Sequence, residues 1–171
     1  MTSVRVREAI PADCPAIHEL IVALAVYERE PDAVEGAVDE LAAHLFGDRP
    51  QVFCHVAEVR EDGVWTIAGI AVWYVTFSTW KIRHGLWLED LFVRPEARGR
   101  GLGRMLLAEL ARIAVERGYP RFEWWVLDWN TPAQRFYQSL GAAAQDEWTV
   151  WRTDGPALTA LGAPGDPPAP A

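Results

Sequence analysis

Two stretches of this 171-residue chain carry the residue types and spacings that chemistry needs. The first runs Leu88-Glu89-Asp90-Leu91-Phe92-Val93-Arg94-Pro95-Glu96-Ala97-Arg98-Gly99-Arg100-Gly101-Leu102-Gly103-Arg104. Glu89 and Asp90 are adjacent carboxylates in an apolar segment. Consecutive strand residues face opposite sides, so one of the two would be buried at a cost unless a solvated cleft or a bulge receives them. Gly99, Gly101 and Gly103 let backbone N–H groups approach a ligand closely, and a helix starting there adds partial positive charge. With Arg98, Arg100 and Arg104 around it, the turn reads as a pyrophosphate cradle; a purely structural turn is the plain alternative. A dinucleotide-binding fingerprint fails, because Arg104 stands where its third glycine belongs and no acidic residue ends a second strand. A Walker loop fails for want of a Gly-Lys-Ser/Thr. The second stretch is Trp129-Asn130-Thr131-Pro132, then Phe136-Tyr137 and Leu140-Gly141-Ala142.

These stretches must be held by regular elements. Alternation around Val4 and Val6 predicts a strand over residues 3–8. Asp13 is placed to cap a helix whose apolar residues Ile17, Leu20, Ile21 and Leu24 recur through Tyr27. An acidic loop follows, then a helix over 38–46. The period changes to two over 52–59, 65–77 and 86–93, predicting three consecutive strands. A helix with Leu102, Met105, Leu106, Leu110 and Ile113 on its apolar face ends at Gly118, a left-handed cap. Residues 122–127 predict a strand. Thr131 as N-cap and Pro132 at the first helical position open a helix that closes at Gly141. Residues 147–153 predict a last strand. The order suits an α/β (α+β) fold, a mixed central sheet with helices on both faces, in one domain over residues 1–154. The Pro/Ala/Gly-rich residues 155–171 are expected to be a disordered tail.

Composition narrows the function. The formal net charge is −8, and the only basic cluster is Arg94 to Arg104, so nucleic acid is not the expected partner. The acidic remainder suits a cationic ligand. Cys14 and Cys54 stand alone without metal-ligand spacing, and the four histidines are scattered, so no metal is expected. The longest apolar run, Ile67 to Val75, is too short to span a bilayer, so no membrane is expected either. The charged N-terminal residues do not resemble a signal peptide, and a cytoplasmic location is expected.

Arg98-x-x-Gly101-x-Gly103, after a strand and before a helix, resembles the acetyl-CoA loop of the GNAT N-acetyltransferase superfamily. Trp129-Asn130-x-Pro132 with Phe136-Tyr137 and Leu140-Gly141-Ala142 resembles that superfamily's second shared region. More narrowly, residues 4–152 are similar to the diamine (spermidine/spermine) acetyltransferases, through Ala25-x-Tyr27-Glu28, Leu88 to Val93, Trp129-Asn130 and Phe136-Tyr137.

The resemblance implies that acetyl-CoA is the acyl donor. Backbone groups of Leu91, Phe92 and Val93 would hold its pantetheine arm, and Arg98, Gly99, Arg100, Gly101, Leu102, Gly103 and Arg104 would wrap its pyrophosphate. Asn130, Pro132 and Tyr137 would complete the cofactor side. Capping is the plain alternative for Asn130, and packing for Tyr137. Tyr137 is the expected general acid, giving a proton to the departing thiolate. An amine of pKa near 10 is almost wholly protonated at neutral pH and must lose a proton before attack. Glu89 is the candidate base, through water, and Asp90 the anchor for a cationic part of the acceptor; a structural ion pair is the plain alternative for both. Tyr27, Glu28, Trp80, Glu147 and Trp148 complete the expected acceptor site, where tryptophan can face an ammonium.

The acceptor expected is a small cationic amine, foremost a di- or polyamine, and the resemblance implies a homodimer. One departure bears on the acceptor. Where the diamine enzymes carry an acid before a tryptophan, this chain has Ser78-Thr79-Trp80 followed by the basic Lys81-Ile82-Arg83-His84. A lysine-like amine such as thialysine therefore competes. The other rivals are a protein acetyltransferase and a non-catalytic acyl-CoA sensor.

Overall fold

The computed structural model describes residues 3–163. The chain divides into two compact units, one ending at Trp125 and the other beginning at Val126. The first unit contains β1 (Ser3–Glu8), a 3-10 turn at Pro11–Asp13, α1 (Cys14–Tyr27), α2 (Val38–Phe46), β2 (Val52–Glu61), β3 (Val64–Ser78), β4 (Arg83–Val93), α3 (Leu102–Glu116) and β5 (Phe122–Trp124). The strands form one mixed sheet in the order β1-β2-β3-β4-β5. The first four are antiparallel, and β5 runs parallel to β4.

Strand alternation sorts the core into two layers. On one face, Cys54, Val56, Ile70, Val72 and Phe92 pack with Ile17 and Leu20 of α1 and Leu45 of α2. On the other, Ala57, Ala71 and Trp73 are buried, as are Leu102, Leu106 and Leu110 of α3. Arg117, at the end of α3, lies 5.4 Å over the Trp73 ring. Trp73 donates its indole N–H to His55 Nδ1 at 3.2 Å, and burial holds this imidazole below its ordinary pKa. Helices thus cover both faces, as expected. Cys14 and Cys54 are free, buried thiols. Gly118 takes φ 68°, and Tyr119 N–H reaches back to Ala114 O at 2.8 Å, the expected left-handed cap.

Asp13 does not cap α1 through its side chain. Its carboxylate instead accepts from Ile10 N–H at 2.8 Å and from both terminal nitrogens of Arg7, at 2.6 and 3.0 Å. Arg7 also reaches Glu58, which Arg5 holds from the other side. Burial pushes the Asp13 and Glu58 carboxyls up, but the arginine hydrogen bonds win and hold both below the usual range. They therefore stabilise the fold above the ordinary carboxylate range, and that stability is lost as pH falls through their lowered values. Arg7→Met leaves Asp13 without its partner and Glu58 with Arg5 alone. The expected loss is about 3 kcal/mol, since an orphaned buried charge is costly. Thermal unfolding at pH 7 checks it, and a difference that shrinks toward pH 3 identifies the two carboxylates as its source.

The second unit contains α4 (Thr131–Ser139) and α5 (Gly155–Gly162). Asn130, not Thr131, is the N-cap of α4: its side chain accepts from Ala133 N–H at 3.3 Å, which moves Pro132 one position inward. Two other expectations are corrected. Residues 147–153 form no strand, and Trp148 N–H turns back to Gln145 O at 3.4 Å. Residues 155–162 are helical rather than disordered, because Pro156 sits in the first turn, where its missing N–H costs nothing, ahead of Ala157, Leu158, Ala160 and Leu161. The rest of the expected tail, residues 164–171, lies outside the described residues. The strand expected over 122–127 keeps only Phe122–Trp124. No helix among the described residues is long and apolar enough to cross a membrane.

Candidate active site

The site is organised by an irregularity in β4. Trp73 pairs with Leu88 and Val72 with Asp90, so Glu89 is an extra residue without a partner on β3. Such a bulge bends a strand and re-aims its side chains. Cross-strand partners share a face, so Trp87 (opposite Tyr74), Asp90 (opposite Val72) and Phe92 (opposite Ile70) all belong to the α1 face. Glu89 turns the same way, since its carboxylate accepts the Trp87 indole N–H at 3.0 Å. The bulge therefore resolves the difficulty of two adjacent acids: neither enters the α3 layer.

A third carboxylate joins them. Glu28 follows the last residue of α1, and its charge acts on Asp90. Burial, then Glu89, then Glu28, push the Asp90 carboxyl up to about 6. Burial also raises Glu28, and burial with the charge of Glu89 raises the Tyr74 phenol. Elsewhere acids are met by arginine, as in Glu19–Arg94, Glu61–Arg100 and Glu109–Arg112. Among the described residues no cation pairs with Glu28, Glu89 or Asp90. The C-terminal carbonyls of α1 add further negative potential. The acidic cluster asks for a positive guest. Tyr74 and Trp87 belong to it too, although sequence reasoning missed them; the signal available was Trp87, two residues before Glu89 on one strand.

The other half of the site has the opposite polarity. Gly101, at φ 81°, is the N-cap of α3, and no side chain caps that end. Met105 N–H is bonded to Gly101 O at 3.0 Å, so the N–H groups of Leu102, Gly103 and Arg104 precede the first intrahelical bond. Gly99, at φ 77°, has open space where a side chain would stand, as does Gly101. This is the backbone arrangement that receives anions. Arg98 and Arg104 have no carboxylate partner among the described residues, whereas Arg100 is tied to Glu61 at 2.5 Å.

Between the halves, β4 and β5 part. They pair only over Leu86–Leu88 and Phe122–Trp124, which leaves the β5 side of Leu91–Val93 open. Arg94 N–H turns to β3, reaching Ala68 O at 2.8 Å. By alternation, Leu91 and Val93 offer their backbone groups to the open side and Phe92 turns to β3. An extended amide-bearing arm such as pantetheine fits that edge in the manner of an added strand. The anion cradle and the open edge together fit acetyl-CoA, while the Phe92 backbone turns to β3 and its ring is buried in the α1-side core.

Of the remaining expected residues, Tyr27 ends α1 beside Glu28. Trp80 lies at the β3–β4 hairpin tip and is 80% exposed. That tip is five or more residues along the strands from Glu89, roughly 17 Å or more, so the structure does not bring Trp80 to the acids. Tyr137 is half-buried on α4, 5.4 Å from the Phe136 ring. Glu147 and Trp148 are exposed in an irregular segment. Among the described residues, no group of three His, Cys, Asp or Glu is placed to hold a metal ion.

A model of the acetyltransferase (GNAT) family matches residues 16–142. The chain is 37% identical over 168 residues to thialysine N-epsilon-acetyltransferase of Bos taurus, covering 94% of this chain and 98% of that protein. It is 33% identical over 155 residues to spermidine/spermine N(1)-acetyltransferase-like protein 1 of Homo sapiens, covering 86% of this chain and 22% of that protein. Among solved structures, an integron cassette protein from the mobile metagenome of V. cholerae superposes with a TM-score of 0.76 at 28% identity, covering 93% of this chain and 97% of that one. The chain belongs to the acetyltransferase (GNAT) family. It is an N-acetyltransferase with acetyl-CoA as co-substrate.

Proposed function

We propose that residues 1–154 form a catalytic domain that acetylates a small aliphatic amine carrying positive charge, a di- or polyamine or a lysine-like amino acid. The observation that carries this reading is the cluster of Glu28, Glu89 and Asp90, with no cation of the protein paired to it among the described residues. Acetyl-CoA supplies an activated acyl carbonyl along the open edge of β4. Asp90 and Glu28 hold the charged part of the acceptor. Glu89, fixed by the Trp87 indole, accepts the proton the attacking nitrogen must lose, through water. Tyr137 returns a proton to the departing thiolate. Positioning the two substrates provides much of the gain.

The lysine-like reading has its own support. The thialysine enzyme matches nearly end to end. The resemblance to the diamine enzymes also supports a homodimer, and the formal net charge of −8 favours a small cation over nucleic acid as partner. Thiol release from acetyl-CoA with putrescine, spermidine, spermine, lysine, thialysine and a short peptide tests the reading. Release with spermidine or spermine identifies a polyamine enzyme, and release only with lysine or thialysine an amino-acid enzyme. Release with the peptide alone, or with none while acetyl-CoA binds, overturns the small-amine reading.

A further inference from the structure

Arg98 touches both halves of the site. Its backbone leads into the glycine-rich turn, and its Nε–H donates to Val93 O at 3.1 Å on the open edge of β4. Its guanidinium lies 5.0 Å over the Tyr27 ring and 5.7 Å from the Phe92 ring, both within cation–π range. Tyr27 ends α1 and is followed by Glu28, whose charge reaches Asp90. The neighbouring Arg94 and Arg100 are engaged by Glu19 and Glu61, but no carboxylate among the described residues engages Arg98. With Nε occupied by Val93, its terminal N–H groups remain for an anion.

We propose that the Arg98–Tyr27 stack couples the two substrates, so that CoA and the amine each tighten the binding of the other. The proposal rests on the acceptor reading above. Arginine gives up considerable rotamer freedom when held in one geometry. A pyrophosphate on its terminal N–H groups fixes the guanidinium, and the guanidinium fixes the Tyr27 ring and with it the position of Glu28. An ammonium on Glu28 and Asp90 fixes the same stack from the other end. Whichever ligand arrives first orders the pair, and the second binds to a site already set. Arg98 and Tyr27 act here as positioning residues.

Linkage makes the coupling factor equal in both directions, and a factor above one that is lost with the Tyr27 ring is what a merely structural role does not produce. The test is calorimetric titration of the full chain with CoA, which cannot turn over, in the absence and presence of saturating spermidine or thialysine, and the converse titration. Each partner is expected to tighten the other about five-fold or more, by the same factor. Tyr27→Leu should bring the factor near one and weaken CoA several-fold even without amine. Tyr27→Phe, which keeps the ring, should retain both. Should Tyr27→Leu fail to fold, Arg98→Lys, which keeps the charge and loses the planar fork, reads the same factor. A wild-type factor of one or below, or an unchanged factor in Tyr27→Leu, overturns the proposal while amine turnover continues. If no amine is turned over, the acceptor reading fails separately, and unaltered CoA affinity in Tyr27→Leu then overturns the coupling on its own.

Discussion

Tyr137→Phe is expected to lower kcat by about a hundred- to a thousand-fold, within the span a well-placed acid contributes. The substitution removes one oxygen and keeps the half-buried ring that leans on Phe136 at 5.4 Å, so α4 retains its packing. A thiolate expelled without a nearby donor must take its proton from water, and the loss should appear in kcat and kcat/KM alike. Thiol release under saturating acetyl-CoA reads this directly. A kcat within three-fold of wild type would remove Tyr137 from the chemistry and leave packing as its role.

Asp90→Asn should act in opposite directions on binding and stability. In the bound state an ammonium loses a charged partner in a half-buried cluster, and the KM for the amine should rise about thirty- to a hundred-fold. In the free protein the same carboxylate is a burden. Its pKa is raised to about 6 by burial and by Glu89 and Glu28, so folding disfavours its charged form at neutral pH. The amide removes that burden, and the variant should be more stable by about 1–2 kcal/mol at pH 7, or roughly 3–6 °C in Tm. Because the folded pKa lies above the unfolded one, wild type regains this stability as pH falls from above 6 toward 4, and the gap between the two proteins should close over that window. Melting curves at pH 7.5 and 4.5 give the comparison. A variant less stable at pH 7.5 would show that Asp90 is held by the fold rather than strained by it. The acceptor KM of wild type should also rise as pH drops through about 6, and that of the variant should not.

Much of the fold is legible in the chain. The period-two runs from Val52 onward and the helical spacing of Leu102, Leu106, Leu110 and Ile113 depend on local alternation, and they mark the sheet and α3 directly. The anion cradle is legible for a related reason: glycines at left-handed positions ahead of a helix have few other uses. What fails is whatever depends on a partner. Residues 147–153 alternate like a strand, yet a strand exists only where an edge accepts it. The Pro-rich tail composition hides a helix, because Pro156 stands where a helix starts rather than inside it. Tyr74 and Trp87 enter the acidic cluster through cross-strand pairing, which the order of residues does not state. Arg100 belongs by spacing to the cradle with Arg98 and Arg104, and only the fold shows it tied to Glu61.

The extra residue in β4 separates two things usually lost together in a substitution. Leu86, Leu88, Asp90 and Phe92 share one parity along the chain, yet the first two lie in the α3 layer and the last two in the α1 layer. The presence of a residue at position 89 sets that inversion, whatever its side chain. Glu89→Ala would remove a carboxylate and keep the inversion. Deleting residue 89 would remove the bulge and leave Leu88 and Asp90 in regular alternation, Leu88 still opposite Trp73 in the α3 layer and Asp90 still opposite Val72 in the α1 layer. A one-residue deletion at this point thus keeps every facing along β4 and takes away only the bulge with its carboxylate, so the pairing of Leu88 and Asp90 with β3 should survive it.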